Sequence, residues 1–167
     1  AEVNVANNGG VSPIYIASKN DNVDIINALI SHGAVIDTSD NFEDTPLHLA
    51  CKNQQLEIVR ILVEREKIIL NKVNQYGESP LLTSCKHGNG LDIINFLLQQ
   101  GAKINISNII GETPLHLACS NNNNLVVNKL LEHNACVNVV SNNGDTPLII
   151  ACRNKNSNIA SQLLNKN

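Results

Sequence analysis

Thr45-Pro46-Leu47-His48-Leu49-Ala50-Cys51 returns letter for letter at Thr113-Pro114-Leu115-His116-Leu117-Ala118-Cys119. Looser copies stand at Ser12-Pro13-Ile14-Tyr15-Ile16-Ala17, Ser79-Pro80-Leu81-Leu82-Thr83-Ser84 and Thr146-Pro147-Leu148-Ile149-Ile150-Ala151. The five prolines of the chain therefore fall 33, 34, 34 and 33 residues apart. A fixed period in the low thirties marks one small supersecondary unit stacked on copies of itself, each burying apolar surface only against its neighbours. Such an array has no closed cleft by construction, and it usually works by binding.

Outward from the proline, each unit reads as two short helices. A Ser or Thr hydroxyl caps the first helix, and proline suits the first helical position because its missing N–H would have had no partner there. The turn between helices calls for a left-handed residue; Gly88 fits without cost, Asp21 and Asn122 tolerate it, and Gln54 and Lys155 fit poorly. Ile25, Ile26, Leu29 and Ile30, and again Ile93, Ile94, Leu97 and Leu98, repeat at helical period and predict a buried face on the second helix. Gly33-Ala34 and Gly101-Ala102 stop that helix, and an extended stretch with a polar reversal leads to the next proline.

The formal charge of −3, with no basic run, gives no global field for phosphate backbones or anionic lipid, so neither nucleic acid nor a membrane surface is an expected partner. No stretch approaches the ~18 apolar residues of a membrane span, and Ala1-Glu2-Val3-Asn4 lacks the regions of a signal peptide. Cys51, Cys85, Cys119 and Cys152 share one slot, five residues after the proline. Packed helices lie roughly 8–10 Å apart, whereas a disulfide needs Cα atoms within about 7 Å. The expectation is four small buried thiols in an intracellular, reducing compartment, cytoplasmic or nuclear. No C-x-x-C pair points to zinc, and Cys136 has no mate.

Period and T-P-L-H-x-A phrase together resemble the ankyrin repeats. Two units match the phrase fully, three in part, and the likeness covers nearly the whole chain. It implies an all-α ankyrin-repeat solenoid of stacked helix-turn-helix units with short β-hairpin-like fingers. Residues 1–8 read as the tail of a preceding unit, 9–41, 42–75, 76–109 and 110–142 as four units, and 143–167 as a truncated fifth, as in a segment of a longer array. The resemblance also gives His48 and His116 a structural role, bonding near the helix start and to the next unit. Asn105 and Asn138 resemble positions that some asparaginyl hydroxylases modify.

Two departures account for the 34-residue spacings. Glu66-Lys67 replaces the Gly-Ala stop and leads into Ile68-Ile69-Leu70, and Gly88-Asn89-Gly90 lengthens a turn. The junction from Glu64 to Asn74 is expected to be the most weakly specified joint.

A slot repeated in every unit becomes a row along the stack. One row is acidic, Asp44, Glu78, Glu112 and Asp145, broken by Val11; another is basic, Lys19, Lys52, Lys86 and Arg153, broken by Ser120. Either the rows neutralise one another as exposed ion pairs worth about 0–1 kcal/mol each, or they orient a charged partner. Of the scarce aromatics, Phe96 falls on a buried face, while Phe42 and Tyr76 share a finger-tip slot with Ile110, next to Ile109. These four predict an exposed apolar strip, unless each folds onto its neighbouring finger.

No G-x-x-x-x-G-K-[ST], H-E-x-x-H or G-x-S-x-G motif is present, and no catalytic, cofactor or metal residue is assigned. The expected function is non-catalytic binding of a protein or peptide on the concave face and finger tips by a monomer. The contact residues are Phe42, Asp44, Tyr76, Glu78, Ile109, Ile110 and Glu112, with Lys52, Asn53, Lys86, His87, Ser120, Asn121 and Arg153 on the adjoining helices. The alternatives are a structural spacer within a larger scaffold, and a segment presenting substrate to a catalytic domain elsewhere.

Overall fold

Five hydroxyls start five helices. In a computed structural model describing residues 2–65, 70–88 and 90–166, Ser12, Thr45, Ser79, Thr113 and Thr146 sit in extended backbone, each just before its proline. Four of these hydroxyls accept the amide three residues on, at 3.2–3.4 Å, from Tyr15, His48, Leu82 and Ile149. The helices that follow are α1 (Pro13–Lys19), α3 (Pro46–Lys52), α5 (Pro80–His87), α7 (Pro114–Ser120) and α9 (Pro147–Arg153). Each is partnered by a second helix: α2 (Val23–Ser31), α4 (Leu56–Arg65), α6 (Leu91–Gln99), α8 (Asn124–Glu132) and α10 (Ser157–Leu164). Asn22, Asn123 and Asn156 cap α2, α8 and α10 by accepting the amides of Ile25, Val126 and Ile159. These asparagines thus serve as helix starts.

The inter-helix turn is left-handed in every unit, including the two with unsuitable residues: φ is 55° at Asp21, 60° at Gln54, 54° at Asn122, 56° at Lys155 and 117° at Gly88. Packing of the two helices within each unit imposes the reversal regardless of residue, in the end units as in the middle ones. A left-handed L-residue costs roughly 1–2 kcal/mol, and a glycine returns about 0.4–1 kcal/mol of that through unfolded-state entropy. Lys155→Gly is therefore expected to raise the unfolding free energy by up to about 1 kcal/mol, read by urea denaturation. A loss of stability would contradict this account.

The first helices pack in series, α1 on α3, α3 on α5, α5 on α7 and α7 on α9; the second helices do the same from α4 through α6 and α8 to α10. Leu47, Leu81 and Leu115, each directly after its proline, are at most 1% exposed, and Ile58, Ile93, Val126 and Ile159 form an equally buried row in the second layer. Phe96 is buried as expected, with the Arg60 guanidinium 4.6 Å above its ring. One continuous apolar core runs the length of the stack.

Two expected burials fail, one at each end. Ile25 is 49% exposed, because no second helix packs on that side of α2 in this chain. Cys152 is exposed where Cys51, Cys85 and Cys119 are buried, because no unit lies over α9 and α10; Leu164, on the same open side, is 57% exposed. The fingers carry turn hydrogen bonds, and no strand occurs among the described residues. Of the junction from Glu64 to Asn74, Glu66 to Ile69 lie outside the described residues, as does Asn89 of the lengthened turn.

Candidate functional site

Each finger is built around one short polar side chain six residues before the proline. Asp40 Oδ1 accepts the amides of Phe42 and Asp44, Asn74 Oδ1 those of Tyr76 and Glu78, and Asn108 Oδ1 those of Ile110 and Glu112, all at 2.9–3.1 Å. Asn7 does the same for Gly9 and Val11, and Ser141 bonds the amide of Asp145. These are Asx-type turns. The row Asn7, Asp40, Asn74, Asn108 and Ser141 keeps the proline period, a signal in the sequence that apolar spacing does not pick out.

Adjacent fingers are then joined backbone to backbone: Asn41 N–H to Gly9 O, Gln75 to Phe42, Ile109 to Tyr76 and Asn142 to Ile110, at 2.9–3.1 Å. The approach is close. A Cβ on Gly77 (φ 72°) would lie 3.1 Å from the Ile109 nitrogen, and one on Gly111 (φ 79°) 3.0 Å from the Asn142 nitrogen, so glycine meets both the backbone angle and the space. This zip leaves the tip side chains outside: Phe42, Tyr76, Ile109 and Ile110 are 53%, 43%, 65% and 43% exposed.

The charged rows pair, but unevenly. Lys86 Nζ lies 2.5 Å from Glu78 Oε1, and Arg153 grips Asp145 with two bonds of 2.7 and 2.8 Å. The Arg153 hydrogen bonds hold the Asp145 carboxyl below its ordinary range. Asp44 instead accepts Asn74 Nδ2 at 2.7 Å, and Glu112 accepts Asn108 Nδ2 at 3.0 Å. With its guanidinium in solvent, the Arg153–Asp145 pair contributes little to stability.

Both motif histidines tie one unit to the next. His48 Nδ1 accepts the Thr45 N–H at 3.2 Å and lies 2.8 Å from its hydroxyl, while Nε2 lies 2.9 Å from the Glu78 carbonyl of the following unit. The only assignment serving all three neighbours is neutral imidazole with the proton on Nε2. Burial, the largest influence, lowers the His48 pKa. His116 repeats the geometry with Thr113 and the Asp145 carbonyl at 3.1 Å. In the first unit Tyr15 stands in the same slot and its hydroxyl donates to Asp40 at 2.6 Å, so burial and that carboxylate push its pKa up.

Against the expected contact residues, the structure divides them. Phe42, Lys52, Asn53, Tyr76, Lys86, His87, Ile109, Ile110, Ser120 and Arg153 are exposed, and Asp44 and Glu112 half-buried. Glu78 departs from the expected exposed tip: it is 5% exposed, closed over by Lys86 and the Asn74 turn. Asn121 is exposed, yet its amide is committed to the Cys85 and Lys86 carbonyls, stitching α7 to α5 as Asn154 stitches α9 to α7. Tyr76, Glu78, Lys86, Ile109, Ile110 and Glu112 line one groove of about 300 Å³. Tyr76, Glu78 and Lys86 also line a smaller hollow of about 130 Å³ with Asp44, Lys52, Thr83 and His87, whereas Phe42, Asn53, Ser120, Asn121 and Arg153 touch neither.

The three buried thiols are chemically quiet. Burial pushes Cys51 and Cys119 up to about 12 and Cys85 higher still, so none of these sulfurs is a nucleophile near neutral pH. Among the described residues, no three His, Cys, Asp or Glu side chains converge to hold a metal ion, and no helix is long and apolar enough to cross a membrane. Asn105 spans to the next unit, accepting the Cys136 amide at 3.0 Å, as Asn4 does to Val35 and Asn71 to Lys103.

No curated protein matches the chain. Residues 14–108 and 92–167 match the family model described as "Ankyrin repeats (3 copies)", whose members are generally protein–protein interaction modules and typically non-catalytic. Stacked helix pairs, histidine links and a match reaching from residue 14 to residue 167 agree, and the chain belongs to the ankyrin repeat family.

Proposed function

We propose that this chain is a non-catalytic binding module that holds a partner protein or peptide against its finger tips and the neighbouring face of its first helices. One observation carries the reading: Phe42, Tyr76, Ile109 and Ile110 stay exposed in a row on fingers that are zipped backbone to backbone. Exposed apolar residues in a contiguous row mark interaction surfaces, and aromatic anchors on a preorganised frame lose little freedom when bound. The setting we propose is a reducing intracellular compartment, where Cys51, Cys85 and Cys119 stay thiols.

Phe42→Ala combined with Tyr76→Ala is expected to weaken partner binding by more than about 1 kcal/mol while unfolding free energy changes by less than about 0.5 kcal/mol. Pull-down with wild-type and doubly substituted chain identifies proteins lost from the variant, and titration calorimetry on those proteins reads the affinity. Equal affinity for both chains would remove the strip from the binding surface.

A further inference from the structure

We propose that the groove between the third and fourth fingers receives a lysine or arginine lying beside a large apolar residue in a partner peptide; this rests on the binding-module reading above. The reason is a gap in the charge rows. Asp44, Glu78 and Asp145 each have a basic residue eight positions on, Lys52, Lys86 and Arg153, whereas Glu112 has Ser120. Where Glu78 and Asp145 are neutralised by contacts of 2.5–2.8 Å, the Glu112 carboxylate meets only the neutral amide of Asn108, at 3.0 Å, and its other oxygen has no hydrogen-bond partner among the described residues.

That uncompensated carboxylate stands on the lip of the 300 Å³ groove. Tyr76, Ile109 and Ile110 supply apolar walls, and Glu78 and Lys86 cancel each other within it, so Glu112 sets the sign of the site. Apolar walls lower the local dielectric and make a lone charge count for more than it would in open water. A peptide cation completes at Glu112 the ion pair that Lys86 and Arg153 supply at Glu78 and Asp145, while the adjacent apolar side chain covers the tips. An acidic or phosphorylated segment meets like charge and a desolvated carboxylate. The volume is at the lower limit for a small-molecule site and suits side-chain insertion.

The test uses the whole chain, labelled, on an array of short random-background peptides, each fixing one pair of residue types at two adjacent positions. Wild type should favour peptides fixing Lys or Arg next to Leu, Ile or Phe by about tenfold over the same peptides with Gln or Glu, and this preference should shrink in high salt. Ser120→Arg should abolish the preference, because its guanidinium would occupy Glu112 as Arg153 occupies Asp145. Glu112→Gln should lose the selection for a cation and keep that for apolar residues. Circular dichroism checks that both variants fold, and the two act through different atoms, so either one alone suffices. Binding without charge selection, selection for acidic peptides, or a cation preference unchanged in both variants overturns this proposal and leaves the module reading intact. Binding that survives Phe42→Ala with Tyr76→Ala counts against the strip instead. No peptide bound above background by any chain overturns both.

Discussion

Leu81→Ala is expected to cost about 2–5 kcal/mol of unfolding free energy and to split the unfolding transition. Leu81 is 1% exposed on α5, the middle first helix, with α3 and α7 packed on its two sides and Leu47 and Leu115 in the equivalent slots. Removing its side chain takes apolar surface out of two interfaces and leaves a cavity that rigid neighbouring helices close only partly. In an array whose stability is a sum of unit and nearest-neighbour contributions, weakening the central unit uncouples the two ends. Urea unfolding followed by far-UV circular dichroism should therefore show a lower midpoint and a broadened or biphasic curve. Leu164→Ala, at a side chain that is 57% exposed, should change stability by less than about 0.5 kcal/mol. A single sharp transition for Leu81→Ala with wild-type midpoint would mean that the stack does not hold together through its neighbours.

His48→Leu is expected to cost about 2 kcal/mol and to flatten the dependence of stability on pH. Leucine occupies the matching slot at Leu82, so the replacement fits sterically, and the loss falls on hydrogen bonds to Thr45 and to the Glu78 carbonyl. A buried donor left without its acceptor costs about 1–3 kcal/mol. The Glu78 carbonyl keeps one donor, the Asn74 amide at 3.1 Å, which limits the damage on that side.

The pH effect has a definite sign. Burial lowers the His48 pKa, and the nearby Asp44 and Glu78 carboxylates oppose that only in part. Below the unfolded value of about 6.5 the unfolded chain binds a proton that the native chain refuses, so stability is full above that pH and falls as pH drops toward the lowered native value. The loss approaches about 1.4 kcal/mol per pH unit for one such histidine. His87, whose pKa is also lowered by burial and by Lys52 and Lys86, adds to the same slope. Chemical denaturation of wild type and His48→Leu between pH 7.5 and about 5 should show the gap between them narrowing as pH falls. A constant gap would mean that His48 is not the titrating group.

Much of the candidate site was legible because periodicity converts sequence position into spatial position. Phe42, Tyr76 and Ile110 share a slot, and they share an exposed edge. Where side-chain reach mattered, slot arithmetic was insufficient. Glu78 and Glu112 occupy the same slot, yet one is buried under Lys86 and the other is half-buried beside Asn108, because only Glu78 has a cation that reaches it. Asn121 reads as a surface contact by its slot, but its amide is spent on carbonyls of α5. The Asx turns at Asp40, Asn74 and Asn108 kept the proline period but gave no hydrophobic pattern to draw attention to them.

From its letters alone, this chain had already settled its repeat length, its helix starts, its buried rows and its family, because proline, cap hydroxyl and 3.6-residue apolar spacing act locally and identically in every unit. Three things waited for the fold: which charges close on each other, which row members lie uncovered at the two ends, and how the fingers lock. Those depend on distances between units, and such distances are set by packing and backbone hydrogen bonds that no single stretch of sequence contains.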